Sequence, residues 1–247
     1  MTRYSCIFAF AVLLVFASGA FADEMYFSNP GSNVWQGVYV NPYTGLDNTN
    51  GKVLTLYCDD YNTEFSGNPT WEATIAPLSN GAGFLFSGVT YADVYDFTLN
   101  GPSIQATAYT ALNFPGAVYL YLEAAALFDQ IQHTTDAITK QELSAAAWSL
   151  FVNSSNVGTL VTAINNSGSP FAVAVANDLT DAAAAAGTPA NPNLSVGSGW
   201  YVVTPGSKFV IQEFMYDPSP SVPEPASILL LGVVLVGCGR GLARRWS

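Results

Sequence analysis

The 247-residue chain sets 7 lysines and arginines against 18 aspartates and glutamates, a formal net charge of −11 at pH 7. Such a surface repels nucleic acid and anionic lipid, so no nucleic-acid partner is expected. Half of the residues are hydrophobic, which excludes disorder, and the single histidine excludes a histidine-rich zinc site.

Residues 1–22 read as a signal peptide. Arg3 supplies the positive start, residues 6–17 the apolar stretch, and Ala20-Phe21-Ala22 the small-x-small cleavage pattern. Cleavage after Ala22 leaves Asp23 first, and Cys6 lies too early to be a lipid-modified cysteine at the cut. An export translocon is therefore the first expected partner. Between Asp23 and Glu224 the only bases are Lys52, Lys140 and Lys208, whereas all the acids fall there. Cys58 is the one cysteine of that exported part, so no intrachain disulfide is available to it.

The exported part, residues 23–216, reads as strands, then helices, then strands, with a length that suits one core or two closely packed lobes. Residues 53–58 have strand composition and residues 71–75 alternate. Asp93 and Asp96, flanking Val94-Tyr95, read as a solvated loop. Residues 117–131 are rich in alanine and leucine, with Pro115 near a helix start. Thr139-Lys-Gln-Glu142 reads as a capping box with Thr139 as N-cap, placing Leu143, Ala146, Ala147, Leu150 and Phe151 on one helix face. Another helix starts at Pro170 after Ser169 and stops before Gly187. Residues 200–204 and 208–216 flank Pro205-Gly-Ser207 as a hairpin. No repeat of fixed period is present. The expected fold class is α+β: a β-rich lobe with an inserted helical segment, plus a single C-terminal transmembrane helix.

The C-terminus supplies that last element. Residues 217–225, with four prolines, form an extended linker. Residues 226–239 carry no charge and are followed by Arg240, Arg244 and Arg245. About 14 residues make about 21 Å of helix against a hydrocarbon core of about 30 Å, so the span is marginal and a buried core helix is the alternative. The basic flank favours the membrane, with residues 240–247 as a cytoplasmic tail.

Pro223-Glu224-Pro225, the apolar run and the arginine cluster, in that order, resemble the PEP-CTERM sorting signal of bacterial envelope proteins. The resemblance implies recognition and cleavage by an exosortase, an integral-membrane cysteine-type transpeptidase. Prolines disfavour helix at the residues before them, so the motif should be extended and accessible just outside the bilayer. The body also resembles a group of PEP-CTERM proteins in Gly37-Val38-Tyr39, Cys58-Asp59-Asp60, Ala146-Ala-Trp148-Ser-Leu-Phe151 and Gln212-Glu-Phe214. This implies a shared fold and surface placement; it does not supply a catalytic activity.

A further resemblance is to the thioester domains of bacterial surface adhesins, where a cysteine after an aromatic residue bonds to a glutamine of a Thr-Gln-x-Ala-Ile-Trp helix. Tyr57-Cys58 matches the first half and Leu143-Ser-Ala-Ala-Ala-Trp148 aligns with the second. Ser144 occupies the glutamine position and cannot form the acyl bond, and Gln141 lies three residues earlier. The resemblance implies Cys58 near the helix of Trp148, without a crosslink.

Catalytic candidates are few, and no catalytic residue is assigned. His133, between two helices, should be exposed, and a Cys58–His133 nucleophile pair has no supporting local signature. Gly81-Ala-Gly83 lacks the lysine and helix of a phosphate loop. Asp59, Asp60, Asn62 and Glu64 invite calcium, the only cofactor considered, yet lack the EF-hand spacing. The sequence thus reads as an exported structural or adhesive protein, membrane-anchored as a precursor and then at the cell surface or in the extracellular matrix, with exopolysaccharide or a surface ligand as partner. The alternatives are a secreted enzyme acting on envelope polysaccharide and a covalent thioester adhesin. A cleft joining carboxylates to several aromatic walls would favour the enzyme.

Overall fold

The computed structural model describes residues 23–29, 31–59, 61, 69–78, 95–109, 115–205 and 213–218. The signal peptide with Ala20 and Ala22, the sorting residues Pro223, Glu224, Pro225, Arg240, Arg244 and Arg245, and the apolar run between them lie outside the described residues. No helix among the described residues is long and apolar enough to cross a membrane. The chain divides into two units after Asp217, and the fold concerns the first.

Six strands close an antiparallel barrel in the order β1 (Asp23–Asn29), β4 (Tyr43–Asp47), β5 (Lys52–Cys58), β12 (Phe214–Tyr216), β11 (Tyr201–Pro205) and β6 (Thr70–Pro77), with β6 pairing back onto β1. Side chains alternate across each strand, so every second residue faces inward. Met25 and Phe27, then Leu54, Leu56 and Cys58, then Trp71 and Ala73, then Val203 and Phe214 make one buried interior cluster. Gly45 belongs to the same inward row, where a Cβ would overlap the Leu56 side chain.

The outward residues of one barrel wall, Tyr57, Val202 and Met215, join a second core shared with the helices. Tyr57 packs on Phe128 at 5.1 Å and on Trp200 at 5.4 Å between ring centroids. The helices are α1 (Ala117–His133), α2 (Ala137–Ser149), α3 (Val157–Asn166) and α4 (Ser169–Ala186). Helix α1 buries most of its surface, from Tyr119 through Ile131, because it lies among the barrel wall, α2 and α4. The expected face Leu143, Ala146, Ala147, Leu150 and Phe151 is buried, but Leu150 and Phe151 follow the end of α2, and Ser144, Ala145, Trp148 and Ser149 are buried as well, so the second half of the helix is enclosed on all sides.

Two short ladders flank the helices. β2 (Val34–Trp35) pairs with β3 (Val38–Tyr39), and Trp35 stacks on Phe171 of α4 at 5.2 Å. β7 (Tyr95–Asn100) and β8 (Ser103–Ala108) form a hairpin that packs on α3 and α4. Asn165 of α3 fixes β8 by accepting from the Ile104 N–H at 2.8 Å and donating to its carbonyl at 3.1 Å.

Three expectations are corrected. Asp96 lies in strand β7, not in a loop. Helix α2 begins three residues before the expected point: its N-cap is Asp136, whose carboxylate accepts from the Thr139 backbone N–H at 2.7 Å and from its hydroxyl at 2.9 Å. An ionised carboxylate satisfies the third N–H at the spacing a threonine cap would use, and these bonds hold the Asp136 carboxyl below its ordinary range. Helix α3 was not expected at all.

Candidate functional site

Cys58 ends β5, and its backbone is gripped from two sides. The fully buried Asn41 side chain accepts from the Cys58 N–H at 2.6 Å and donates to its carbonyl at 3.1 Å. The Trp148 indole N–H donates to the same carbonyl at 3.0 Å. Cys58 also pairs in register with Phe214 of β12, and Glu213 beside it accepts from the Tyr121 hydroxyl of α1 and from Thr204 at 2.7 Å. The motif residues Cys58, Trp148, Glu213 and Phe214 thus converge where the barrel meets the helices. They fasten the two halves of the fold together.

The structure brings Cys58 and Trp148 together but separates the thiol from the helix. The Cys58 side chain belongs to the barrel interior with Leu56 and Phe214, whereas Trp148 belongs to the helix-side core. Ser144 is fully buried, and its hydroxyl has no hydrogen-bond partner among the described residues. Gln141 points elsewhere, donating to the Asn33 side chain at 2.9 Å and the Val34 carbonyl at 3.2 Å. His133 ends α1 with its side chain 74% exposed and 3.8 Å from the Asp129 carboxylate. A buried thiol and an exposed imidazole do not make a nucleophile pair. Asp59 is buried, whereas Asp60 and Glu64 lie outside the described residues. Among the described residues no three His, Cys, Asp or Glu side chains cluster as metal ligands.

A different constellation occupies a cavity of about 280 Å³ between β7, α1 and α4. Tyr95, Asp96 and Phe97 come from β7, Tyr109 from just beyond β8, Glu123 from α1 and Thr180 from α4. Glu123 is 6% exposed. Burial pushes its carboxyl up to about 7; the Tyr119 hydroxyl, one helical turn earlier, draws it down, and the Asp96 charge raises it further. Tyr109 is raised by burial and by both carboxylates. A carboxyl poised near neutrality beside aromatic faces can donate or accept a hydrogen bond, or hold a cation. The sequence carried one pointer to it, a lone glutamate inside the apolar run Leu120-Tyr-Leu-Glu-Ala-Ala-Ala-Leu127. A second like-charged contact joins α2 to α4, where burial, Glu142 and Asp181 push the Asp178 carboxyl up to about 6.

The family described as the PEP-CTERM protein-sorting motif matches residues 221–245. This chain therefore carries a PEP-CTERM signal, which implies an exported protein processed by an exosortase. No curated protein and no solved structure matches the chain.

Proposed function

We propose that this is a cell-surface or matrix-associated protein of structural or adhesive kind, anchored by its C-terminal apolar segment until an exosortase releases it. The observation that carries this reading is the sorting motif at residues 221–245 behind a folded, acidic body. The body supports it by its build: the resembling motifs serve as fasteners between barrel and helices, which suits a module displayed outside the cell. Intact mass and fractionation of the native protein test the reading together. The expected species begins at Asp23, lacks the arginine tail and is recovered outside the inner membrane. A full-length protein confined to the inner membrane would count against it.

The cavity at Glu123 favours a second reading, the secreted enzyme, because it joins carboxylates to aromatic walls. A carboxyl near 7 suits a general acid. Its size argues for recognition instead. About 280 Å³ lies just below the usual range of about 300–1,000 Å³ for ligand sites and accepts about one sugar-sized unit, whereas glycosidic cleavage needs units held on both sides of the bond. Turnover of envelope polysaccharide that disappears in Glu123→Gln would reverse this preference.

A further inference from the structure

The cavity between β7, α1 and α4 has a lopsided chemistry. Its lining includes two carboxylate residues, Asp96 and Glu123, with Tyr109 beside both, and no basic residue among the described ones; Tyr95 and Phe97 border it from the opposite face of β7. An anionic ligand would meet only like charge. Glu123 is buried within the field of Asp96, an arrangement that is costly for two ionised groups unless a proton or a cation offsets it. The described lining residues supply no cation there. A ligand can, and an aromatic ring such as that of Tyr109 stabilises an organic cation through the negative face of its π-system. The acidic body adds a field that draws cations toward the surface. A hard metal ion fits less well, since it takes six to eight oxygen ligands, and among the described residues no three His, Cys, Asp or Glu side chains cluster to hold one.

We propose that this pocket binds an ammonium group on a small organic ligand, the amino group of an amino-sugar unit or of an alkylamine, with Glu123 and Asp96 as counter-charges and Tyr109 as the aromatic wall. The inference deepens the recognition reading of the body and rests on it, yet its test is independent of sorting. A failed fractionation leaves the pocket untouched, and a failed binding assay leaves the sorting route untouched.

The pH dependence follows from the groups that face Glu123. They are Tyr119 on its own helix, Asp96 on β7 and Tyr109 beyond β8; α4 and the end of α2 contribute Thr180 and Ser149 but no ionisable side chain to the lining. With the Glu123 carboxyl at about 7, an ammonium ligand displaces its proton on binding. Affinity then rises through neutrality and levels above it.

The test uses the full chain purified from an expressing host, with binding followed by calorimetry. Butylamine, which stays charged across the range, is expected to bind about tenfold more tightly at pH 8 than at pH 6, in proportion to the ionised fraction of Glu123. Glu123→Gln should remove that pH dependence and weaken binding by tenfold or more. Asp96→Asn, an exposed and conservative change, should weaken it several-fold with the fold intact. At pH 7 glucosamine should bind while glucose and N-acetylglucosamine do not. Glucosamine tighter than butylamine assigns the site to an amino sugar, and equal affinities assign it to the amine alone; either supports the proposal. Equal binding of glucose and glucosamine would overturn it in favour of a neutral-sugar site. Calcium binding that requires Glu123, or no saturable binding of any amine at pH 8, would overturn it as well.

Discussion

The indole N–H of Trp148 donates to the carbonyl of Cys58 at 3.0 Å, tying α2 to the last residue of β5. Asn41 donates to that same carbonyl at 3.1 Å, so two side chains from distant parts of the chain share one acceptor. All three residues are buried, where an unmade hydrogen bond carries its full desolvation cost. Trp148→Phe keeps most of the ring and should cost about 1–3 kcal/mol. Asn41→Ala strands the Cys58 N–H as well and should cost at least as much. Chemical denaturation of the two single variants and the double variant is the measurement. Because the acceptor is shared, the double variant should depart from additivity by more than about 0.5 kcal/mol. Strict additivity would mean that the two contacts are energetically separate.

Stability should fall as pH rises from acid to neutral. Glu123 has its folded carboxyl at about 7 against an ordinary 4.5, so the folded state binds the proton more tightly than the unfolded chain. The sign is fixed by that order: the contribution is whole below about 4.5, declines through the interval and is gone above about 7. For this nearly buried group the loss is on the order of 3 kcal/mol. Asp178, raised to about 6 by burial and by Glu142 and Asp181, loses its contribution in the same direction over a lower window. Melting temperatures recorded from pH 4 to pH 8 should separate the effects. Glu123→Gln should melt above the wild type at pH 8, because it removes a buried charge without changing shape. A wild type that is the more stable at pH 8 would show that Glu123 is ionised at no cost.

How far these features were legible in the sequence depends on whether their cause is local. Strand β5 and helices α1, α2 and α4 announce themselves by composition, periodicity and the Pro170 and Gly187 punctuation. Helix α3 carries the same signal, with Val157, Leu160, Val161 and Ile164 at i, i+3, i+4 and i+7, but it is only 10 residues long and no side chain caps its start, which makes it easy to miss. Barrel closure is silent in the sequence, since β1 pairs with β6 and β5 with β12 across long stretches of chain. The pocket was half legible. A glutamate in an apolar helix is visible, whereas its pairing with Asp96 depends on how the β7–β8 hairpin docks against the helices.

The sorting motif makes a cleaner prediction. Replacing Pro223, Glu224 and Pro225 together by alanine removes the sorting motif and two prolines, which disfavour helix at the residues before them. The altered chain should accumulate as a longer species in the inner membrane, with its body folded. Fractionation with an antibody against the body checks this. Release of the altered protein at normal size would sink the exosortase route.

The thiol of Cys58 decides between a plain surface protein and a covalent adhesin. A thioester needs the cysteine sulfur within bonding reach of a glutamine side chain. The Cys58 side chain lies in the barrel interior with Leu56 and Phe214. Its carbonyl accepts from the Trp148 indole, and position 144 is serine. Gln141 is committed to Asn33 and Val34 on the β2 side. Tyr43, in the same interior cluster, has its hydroxyl pushed up by burial and by Cys58, as expected for groups shut away from water. Intact mass should therefore match the unmodified polypeptide, and methylamine should add nothing. Iodoacetamide should label Cys58 slowly in the folded protein and completely in denaturant, because buried thiols react only on opening. A mass lower by one ammonia that is restored as a methylamine adduct would overturn this account and make the chain a covalent adhesin.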